Sequence, residues 1–272
     1  MSDHPRGLLA ARGLRPKKRL GQHFLIDPGS ARRIAALCSE GDLDAYEVGA
    51  GTGALTAALL ERGLRVCAIE IDPDMIAILR TRPELAPATL VNEDATRFDF
   101  DARVRERWCA CGNLPYNIAT PLVLRWLELR VPPQRIVVMV QKDVADRFIA
   151  RPSTPAYGSL TIALGFEMEV RRAFVLGPRA FYPRPNVESA VVVMERRAEP
   201  AANVRDRNFF RQVVRAAFAY RRKTLANSLG LALGIERERT QRALVASGLD
   251  TEIRAEQLDL RAFAALTDEL AP

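Results

Sequence analysis

The sequence predicts an α/β protein in which a seven-stranded, mostly parallel sheet precedes a small all-α domain. Three observations lead to this prediction. Short apolar runs alternate with amphipathic helical patterns, a glycine-rich loop follows the first run, and no strand pattern occurs beyond residue 200. Apolar strands separated by helices are typical of a parallel sheet that helices cover on both faces.

The first five predicted strands alternate with helices along the chain. We place these strands at 45–49, 66–70, 89–93, 108–112 and 136–141. Helical patterns between them cover 54–62, 73–81 and 120–129. Two later runs, 168–175 and 189–195, have no helix between them, so we expect them to form an antiparallel edge of the sheet.

A linker composition at 198–203 separates this region from a purely helical tail. We therefore predict three parts, which are a basic segment at 1–20, an α/β domain at 21–199 and a helical domain at 200–272.

Positive charge is concentrated in two blocks of a chain whose net charge is +7. Residues 1–20 contain six Lys/Arg and one Asp, a net of +5, and residues 196–225 contain nine Lys/Arg and two acids, a net of +7. Two such blocks favour a polyanionic partner, although solvated arginines without any partner give the same composition.

Composition excludes several other classes of protein. With 48% hydrophobic and 27% charged residues, the chain is typical of a soluble globular protein. No apolar run approaches the ~20 residues that span a bilayer, and the first residues lack a secretory signal. The four cysteines lie in apolar stretches, so we expect reduced, buried thiols and no metal site. We expect a cytoplasmic monomer without a membrane partner.

The glycine-rich loop from Glu47 to Thr56 follows the first strand of the sheet. Glycines there allow a tight turn and a close approach to a ligand. Glu70 stands 21 residues after Gly49, at the end of the second strand, where it can accept hydrogen bonds from ribose hydroxyls. Gly49, Gly51 and Ala54 also satisfy the G-x-G-x-x-A dinucleotide fingerprint, so an NAD enzyme remains an alternative. The denser glycine spacing, with the acid Glu47 before it, suits a ligand that carries an ammonium, such as S-adenosylmethionine (AdoMet).

Two further residues extend this predicted site. Asp94 ends the third strand, where its carboxylate can accept the amino group of an adenine, and Ile71 can cover the adenine face. Acids at strand ends are also common helix caps, and Asp94 alone is compatible with both roles. The carboxyl ends of parallel strands meet at one edge of a sheet, so we expect Glu70, Asp94 and the glycine loop to lie together.

Asn113, Leu114, Pro115 and Tyr116 follow the fourth strand and form the most informative motif of the chain. The Asn113 side chain and the Leu114 carbonyl can accept hydrogen bonds from an exocyclic amine, and Tyr116 offers a ring on which a base can stack. In isolation the motif is compatible with a plain proline turn. The cofactor-type glycine loop upstream favours a site for a planar amine.

Together these motifs resemble those of the ribosomal RNA adenine N6-dimethyltransferases, most closely the bacterial enzyme that acts on small-subunit (16S) rRNA. The resemblance extends from about residue 17 to about residue 265. Besides the motifs above, it includes Leu20-Gly21-Gln22-His23-Phe24-Leu25, Asn117-Ile118, Gln141-Lys142-Asp143-Val144-Ala145, Phe181-Tyr182-Pro183-Arg184-Pro185-Asn186-Val187-Glu188-Ser189 and Ala217-Phe218-Ala219-Tyr220-Arg221-Arg222-Lys223-Thr224-Leu225.

The resemblance implies a Rossmann-like class I AdoMet-dependent methyltransferase with a helical rRNA-binding domain. It implies N6,N6-dimethylation of adenines in 16S rRNA of the small ribosomal subunit or its precursor, coupled to ribosome biogenesis. Gln22 and His23 would hold the methionine end of AdoMet beside Gly49 and Gly51. The remaining implied cofactor contacts are Leu25, Glu47, Glu70, Ile71, Asp94, Ala95 and Asn113.

The resemblance also implies how the target adenine is held. Asn113 and Leu114 would bind its N6, with Tyr116 on one face of the base and Phe181 on the other. An aromatic such as Phe181 can equally fill a loop. The sequence departs from the family at His23, where Asn is more frequent, and at Glu93, where Gly is frequent. The first departure leaves the contact of residue 23 with the cofactor open.

The helical tail carries the predicted RNA contacts. Arg207, Arg211 and Arg215 recur at four-residue spacing, with Arg222 seven residues further, so we place all four on one helix face. Arg221 and Lys223 extend the patch, while Phe210, Val213, Val214 and Ala217 face the core. A solvated helix face is the alternative.

Three alternatives to the small-subunit enzyme remain. The first is the related large-subunit (23S) rRNA methylase that confers macrolide resistance, which shares the catalytic motifs. The second is a ribosome-assembly factor in which methylation is secondary. The third is an NAD-dependent dehydrogenase, for which the sequence offers no general acid or hydride-handling residue.

Overall fold

The computed structural model describes residues 4–40, 43–105, 107–220 and 222–271, with Tyr116 described by its backbone only. Its strands are β1 Phe24–Leu25, β2 Asp44–Val48, β3 Val66–Glu70, β4 Thr89–Asn92, β5 Trp108–Asn113, β6 Arg135–Gln141, β7 Met168–Leu176, β8 Phe181–Tyr182 and β9 Ser189–Arg196. Its α-helices are α1 Pro5–Ala10, α2 Pro28–Cys38, α3 Ala54–Glu61, α4 Pro73–Leu79, α5 Phe100–Arg103, α6 Tyr116–Leu127, α7 Lys142–Phe148, α8 Ser159–Glu167, α9 Arg207–Ala217, α10 Leu225–Leu233, α11 Arg237–Ala246 and α12 Leu260–Leu270.

The main sheet has seven strands in the order β4-β3-β2-β5-β6-β9-β7. Strands β2 to β6 pair in parallel, and β9 pairs with β6 antiparallel. The predicted α/β fold and its seven strands are therefore confirmed. Because β2 lies between β3 and β5, the strand order reverses there, and this reversal opens a crevice at the carboxyl ends of the strands.

A second, two-stranded sheet was not predicted. In it β1 pairs antiparallel with β8, with Phe24 opposite Tyr182 and Leu25 opposite Phe181. Strands of two residues are too short to show a period in the sequence. This pairing joins the start of the chain to the loop that contains Phe181.

Aspartates begin several of the helices, as elementary capping predicts. Asp27 accepts from the Ser30 N–H and precedes Pro28, the first residue of α2. Asp72 accepts from the Asp74 N–H and precedes Pro73 at the start of α4. The apolar strands form the core between these helices, and every residue of β6 from Ile136 to Val140 is at most 2% exposed.

The chain divides into two compact units, residues 1–145 with 171–196, and residues 146–170 with 197–272. The predicted boundary at 199/200 places residues 146–170 in the α/β part, whereas this division groups them with the helical tail. Tyr157, Ile162 and Phe166 belong to the same apolar cluster as Phe210 and Phe263 of the tail, which explains this grouping.

The remaining structural predictions concern the burial of the cysteine thiols and membrane-spanning helices. Cys38, Cys109 and Cys111 are fully buried in the core of the first unit, Cys67 is half-buried, and all four thiols are free. Within the described ranges, every helix falls short of the length and apolar character needed to cross a membrane.

Candidate cofactor and target site

A cavity of about 310 Å³ lies at the carboxyl ends of the central strands. Most of the predicted cofactor residues line it, namely Gln22, His23, Gly49, Gly51, Glu70, Ile71, Asp94, Ala95 and Asn113. A smaller cavity of about 50 Å³ adjoins it and is lined by Leu25 and Glu47 together with His23, Gly49, Gly51 and Asn113. The structure thus brings together residues that are up to 91 positions apart in the chain.

Glu70 connects the glycine loop to the loop that follows β3. Its Oε2 accepts from the Gly51 N–H at 2.9 Å and its Oε1 accepts from the Asp72 N–H at 2.9 Å. Burial raises the pKa of this carboxyl above its ordinary value, while the backbone hydrogen bonds oppose that effect. Each oxygen retains a second lone pair, so Glu70 can also accept from a ligand hydroxyl.

Glu47 lies beneath the glycine loop and is 1% exposed. The Thr56 hydroxyl donates to its Oε2 at 2.6 Å. Burial raises the pKa of Glu47 to about 7, and the Thr56 hydrogen bond opposes this shift. The group can therefore change charge near neutral pH, and a bound ammonium would favour its ionised form.

The orientation of the Asn113 side chain is fixed by a partner from the start of the chain. Its Nδ2 donates to the backbone carbonyl of His23 at 2.9 Å. A carbonyl can only accept, so the amide nitrogen must be the atom that faces His23. Oδ1 of Asn113 is therefore left as an acceptor beside both cavities.

His23 also connects two loops of the site. Its Nδ1 lies 2.8 Å from the Pro183 carbonyl oxygen, so this nitrogen carries a hydrogen and donates it. The residue lines both cavities. His23 thus links the loop after β8 to the end of β5 through Asn113.

Asp94 and Ile71 occupy the part of the cavity predicted for an adenine. Asp94 Oδ1 accepts from the Thr96 N–H at 2.9 Å and from its hydroxyl at 2.8 Å. Among the described residues Oδ2 accepts no hydrogen bond, so the capping role and a ligand contact are compatible. Ile71 is 47% exposed, unusual for a large apolar residue, and it lines the same cavity.

One of the predicted target contacts, Phe181, is placed differently from expectation. Phe181 is 2% exposed and belongs to the apolar core with Leu25 and Val191, because β8 pairs with β1. In this conformation its ring is covered and cannot face a base. Leu114 is 3% exposed, and its N–H donates to the Met139 carbonyl. Neither Phe181 nor Leu114 is among the described residues that line the two cavities. The side chain of Tyr116 lies outside the described part of the structure.

Sequence reasoning missed two groups next to the cavity. The Lys17 ammonium lies 2.6 Å from both Asp72 and Asp74, and Gln22 donates to Asp72 at 2.7 Å. Burial opposes ionisation of Asp72, but these hydrogen bonds bring its pKa below the ordinary value. The Asp-x-Asp pattern directly after Glu70 was a possible signal, although it also marks the start of a helix.

Gly112 was also missed. Its φ is +149°, and a Cβ there would lie 2.2 Å from the Val48 backbone oxygen. Only glycine allows β5 to approach the end of β2 this closely just before Asn113. The glycine that positions the target motif therefore lies inside β5, where no turn signal marks it.

The predicted RNA contacts lie in the second compact unit. Arg207 and Arg215 are exposed on α9, while Arg211 lies 3.2 Å from Glu167. The prediction that Arg222 shares their helix face is wrong, since α9 ends at Ala217. Arg222 and Lys223 are exposed in the connection to α10, and Arg221 lies outside the described residues. Phe210, Val213, Val214 and Ala217 are buried as predicted.

The described residues contain no group of three or more His, Cys, Asp or Glu side chains that could hold a metal ion.

Comparison with known proteins places these features in context. The model of a family described as "Ribosomal RNA adenine dimethylase" matches residues 13–271. The chain is 41% identical to Ribosomal RNA small subunit methyltransferase A of Geobacillus thermodenitrificans, an alignment that covers 97% of this chain and 94% of that protein. It is 39% identical to the protein of the same name from Streptococcus gordonii, with 97% and 95% covered.

Solved structures share the fold. A dimethyladenosine transferase from Plasmodium falciparum is 23% identical with a TM-score of 0.71, covering 90% of this chain and 96% of that one. The 23S rRNA methyltransferase ErmE is 25% identical with a TM-score of 0.69, covering 91% and 99%.

Proposed function

The chain belongs to the ribosomal RNA adenine dimethylase family, and we propose that it transfers two methyl groups from AdoMet to N6 of adenines in the 16S rRNA of the small ribosomal subunit. The observation that supports this most directly is the hydrogen bond from Asn113 to the His23 carbonyl, because it leaves an amide oxygen positioned to accept from an exocyclic amine.

We propose that AdoMet occupies the larger cavity and extends towards the smaller one. The positive φ angles of Gly49 and Gly51 curve the loop around the space where the methionine part would lie. Glu70 would accept from the ribose hydroxyls, the second oxygen of Asp94 from the adenine amine, and Ile71 would cover the adenine ring. Gln22, His23, Leu25, Glu47 and Ala95 complete the proposed binding set.

AdoMet supplies an electrophilic methyl group on a sulfonium. The nucleophile is weak, because the N6 lone pair of adenine is delocalised into the ring. Asn113 Oδ1 and the Leu114 carbonyl would accept the two N6 hydrogens and so favour a pyramidal nitrogen whose lone pair points at the methyl group. Transfer would form the N–CH3 bond as the S–CH3 bond breaks and S-adenosylhomocysteine leaves. The methylated nitrogen would then be strongly acidic and would lose its proton to water. Catalysis then depends on positioning and not on a strong base.

The target adenine would lie between two aromatic side chains. Tyr116 would stack on one face of the adenine. Phe181 would reach the other face only after its ring leaves the apolar core. Stacking on an aromatic ring is worth ~1–3 kcal/mol, which offsets part of the cost of unstacking a nucleotide.

We propose that the basic residues of the second unit bind the RNA backbone. The exposed side chains of Arg207, Arg215, Arg222 and Lys223 support this role, with Arg211 and Arg221 in the same set. Phosphate contacts position the RNA, and its identity would be read through shape.

Sequence identity favours the small-subunit substrate over the 23S alternative. Identity is 41% to a small-subunit methyltransferase over 97% of the chain, against 25% to the 23S enzyme ErmE. We propose that the protein acts as a monomer on the small subunit or its precursor during ribosome biogenesis.

A direct assay tests the function. Purified protein is incubated with labelled AdoMet and small ribosomal subunits from cells that lack the modification, with naked 23S rRNA in parallel. Separated nucleosides should contain dimethyladenosine only in the small-subunit RNA. Label confined to 23S rRNA would instead support the large-subunit rRNA methylase that confers macrolide resistance. Binding to small subunits without any transfer would favour an assembly factor.

A further inference from the structure

The N-terminal arm, which we define as residues 5–22, is part of the folded first unit. Leu9 of α1 is 2% exposed and packs in an apolar cluster with Phe24, Met75 and Ile78. The arm is therefore anchored at its start by apolar contacts to α4. Its basic residues are not carried on a free tail.

A second anchor lies at the other end of the arm. Lys17 Nζ lies 2.6 Å from Asp72 Oδ1 and 2.6 Å from Asp74 Oδ2. Gln22 donates from Nε2 to Asp72 Oδ2 at 2.7 Å, and its Oε1 accepts from the Lys17 N–H at 2.8 Å. One aspartate thus holds two residues of the arm.

The Asp72 carboxylate has a solvent exposure of 0%, whereas the Lys17 side chain is 28% exposed. A buried carboxylate is costly unless a cation and hydrogen bonds compensate it. An aspartate that only capped α4 would need neither Lys17 nor Gln22. Within the described ranges, Lys17 is the cation that contacts this carboxylate.

The residues of the arm that follow Lys17 form a wall of the larger cavity. Arg19, Leu20, Gly21 and Gln22 all line it. Asp72 also contacts Glu70, because the Asp72 N–H donates to Glu70 Oε1 at 2.9 Å. The same short loop therefore holds both the arm and the acid proposed to bind the ribose.

We infer that Lys17 and Asp72 are positioning residues for cofactor binding, which hold the Arg19–Gln22 wall of the cavity against the loop that carries Glu70. This inference rests on the proposed AdoMet site. Neither residue touches the reacting atoms. Their ion pair determines whether the wall is in place when the cofactor binds.

The test compares Lys17→Met with Lys18→Met as a matched control. Lys18 is exposed and adjacent, so both variants lose one positive charge from the same segment. AdoMet affinity is measured by calorimetry without RNA, so that RNA contacts do not contribute. We expect Lys17→Met to weaken AdoMet binding about tenfold, Lys18→Met to leave it unchanged, and Lys17→Arg to restore most of it, since Arg keeps the charge and the donors.

Two further measurements separate positioning from general stability. In the methyl-transfer assay Lys17→Met should raise KM for AdoMet while kcat at saturating AdoMet stays near that of the wild type. Hydrogen exchange of residues 18–22 should be faster in Lys17→Met than in Lys18→Met. If Lys17→Met binds AdoMet as the wild type does, or if Lys17→Arg fails to restore a lost affinity, the inference is wrong. If the wild type itself does not bind AdoMet, the proposed function fails instead.

Discussion

Asn113 and His23 meet through a hydrogen bond that spans 90 positions of the chain, from the Asn113 amide nitrogen to the His23 backbone carbonyl at 2.9 Å. The bond uses a backbone acceptor, so it forms whichever side chain stands at position 23. It fixes which atom of the amide faces the cavity. The departure of His23 from the more frequent Asn therefore leaves the orientation of Asn113 intact.

The first prediction concerns this amide. Asn113→Ala removes the acceptor proposed for the adenine N6, and we expect methyl transfer to fall by about 10²-fold or more. AdoMet binding should remain, because the glycine loop, Glu70 and Asp94 are unchanged. Single-turnover transfer and calorimetry measure the two effects separately.

Asn203→Ala provides a control, since Asn203 is an exposed asparagine outside the helices and strands. It should behave as the wild type in both measurements. Loss of AdoMet binding in Asn113→Ala with normal transfer at saturating AdoMet would contradict the assigned role.

The elements that carry the cofactor site could be predicted from sequence because parallel strands end at one edge of a sheet. Glu70 ends β3 and Asp94 follows the adjacent strand β4, so their proximity follows from strand order alone. The partner of Asn113 could not be predicted in this way. It directly follows the N-terminal arm, whose path depends on packing of Leu9 against α4, and that packing has no local signal.

Two differences between the sequence-based expectations and the structure have a common physical cause. Residues 146–170 carry a helix between two strands, which is the pattern of the α/β domain, yet Phe166 packs near Phe210 with ring centroids 4.6 Å apart. Phe181 lies in a loop-like sequence, yet β-pairing with Leu25 buries it. In both cases tertiary packing determines where the residues lie, and the local sequence pattern does not indicate that packing.

The second prediction concerns the pH dependence of stability. Glu47 has a pKa of about 7 against an ordinary value of 4.5, so the folded protein holds a proton that the unfolded chain releases. Stability is therefore lost as the pH rises from about 4.5 towards 7, by about 3 kcal/mol for this group. Above that range the contribution is constant.

Glu47→Gln removes this titration while retaining an acceptor for Thr56. We expect its free energy of unfolding, measured by chemical denaturation, to vary less than that of the wild type between pH 5 and pH 8. The variant should be the more stable of the two at pH 8. Parallel pH profiles for the two proteins would contradict the buried, protonated state.

The third prediction concerns Gly112. Alanine there would place a Cβ 2.2 Å from the Val48 backbone oxygen, at a φ of +149°. We expect Gly112→Ala to destabilise the protein by about 3 kcal/mol or more, seen as a lower thermal midpoint. Gly177→Ala is the control, because its φ of −76° suits any residue and nothing lies within 4 Å of a Cβ there. Equal midpoints for the two variants would refute the close-approach argument.

The fourth prediction concerns the RNA contacts. Arg207→Gln and Arg222→Gln should each weaken binding of small-subunit RNA and lower the slope of log K against log salt by about one. AdoMet binding should be unchanged. Arg261→Gln makes the same charge change at an exposed position of α12 and should leave the slope nearly constant. A slope that falls equally in all three variants would indicate an effect of net charge without a defined contact surface.

The fifth prediction separates the two roles of Asp94. Its Oδ1 accepts twice from Thr96, and its second oxygen is proposed to accept from the adenine amine. In Asp94→Asn the amide oxygen can keep the Thr96 contacts, which places an NH2 group where the second oxygen stood. That group repels an adenine amine but can donate to the carbonyl oxygen of a hypoxanthine.

S-adenosylhomocysteine and S-inosylhomocysteine distinguish these cases, since the C6 amine of adenine is a carbonyl oxygen in hypoxanthine. The accompanying hydrogen on N1 of hypoxanthine is the same for the wild type and the variant. The wild type should prefer the adenine form, and Asp94→Asn should lose about tenfold for it and gain for the inosine form. An unchanged preference, with an unchanged thermal midpoint, would mean that Asp94 is a turn cap alone. A lower midpoint with equal losses for both ligands would mean that the Thr96 contacts were broken, because a damaged turn cannot discriminate between the two bases.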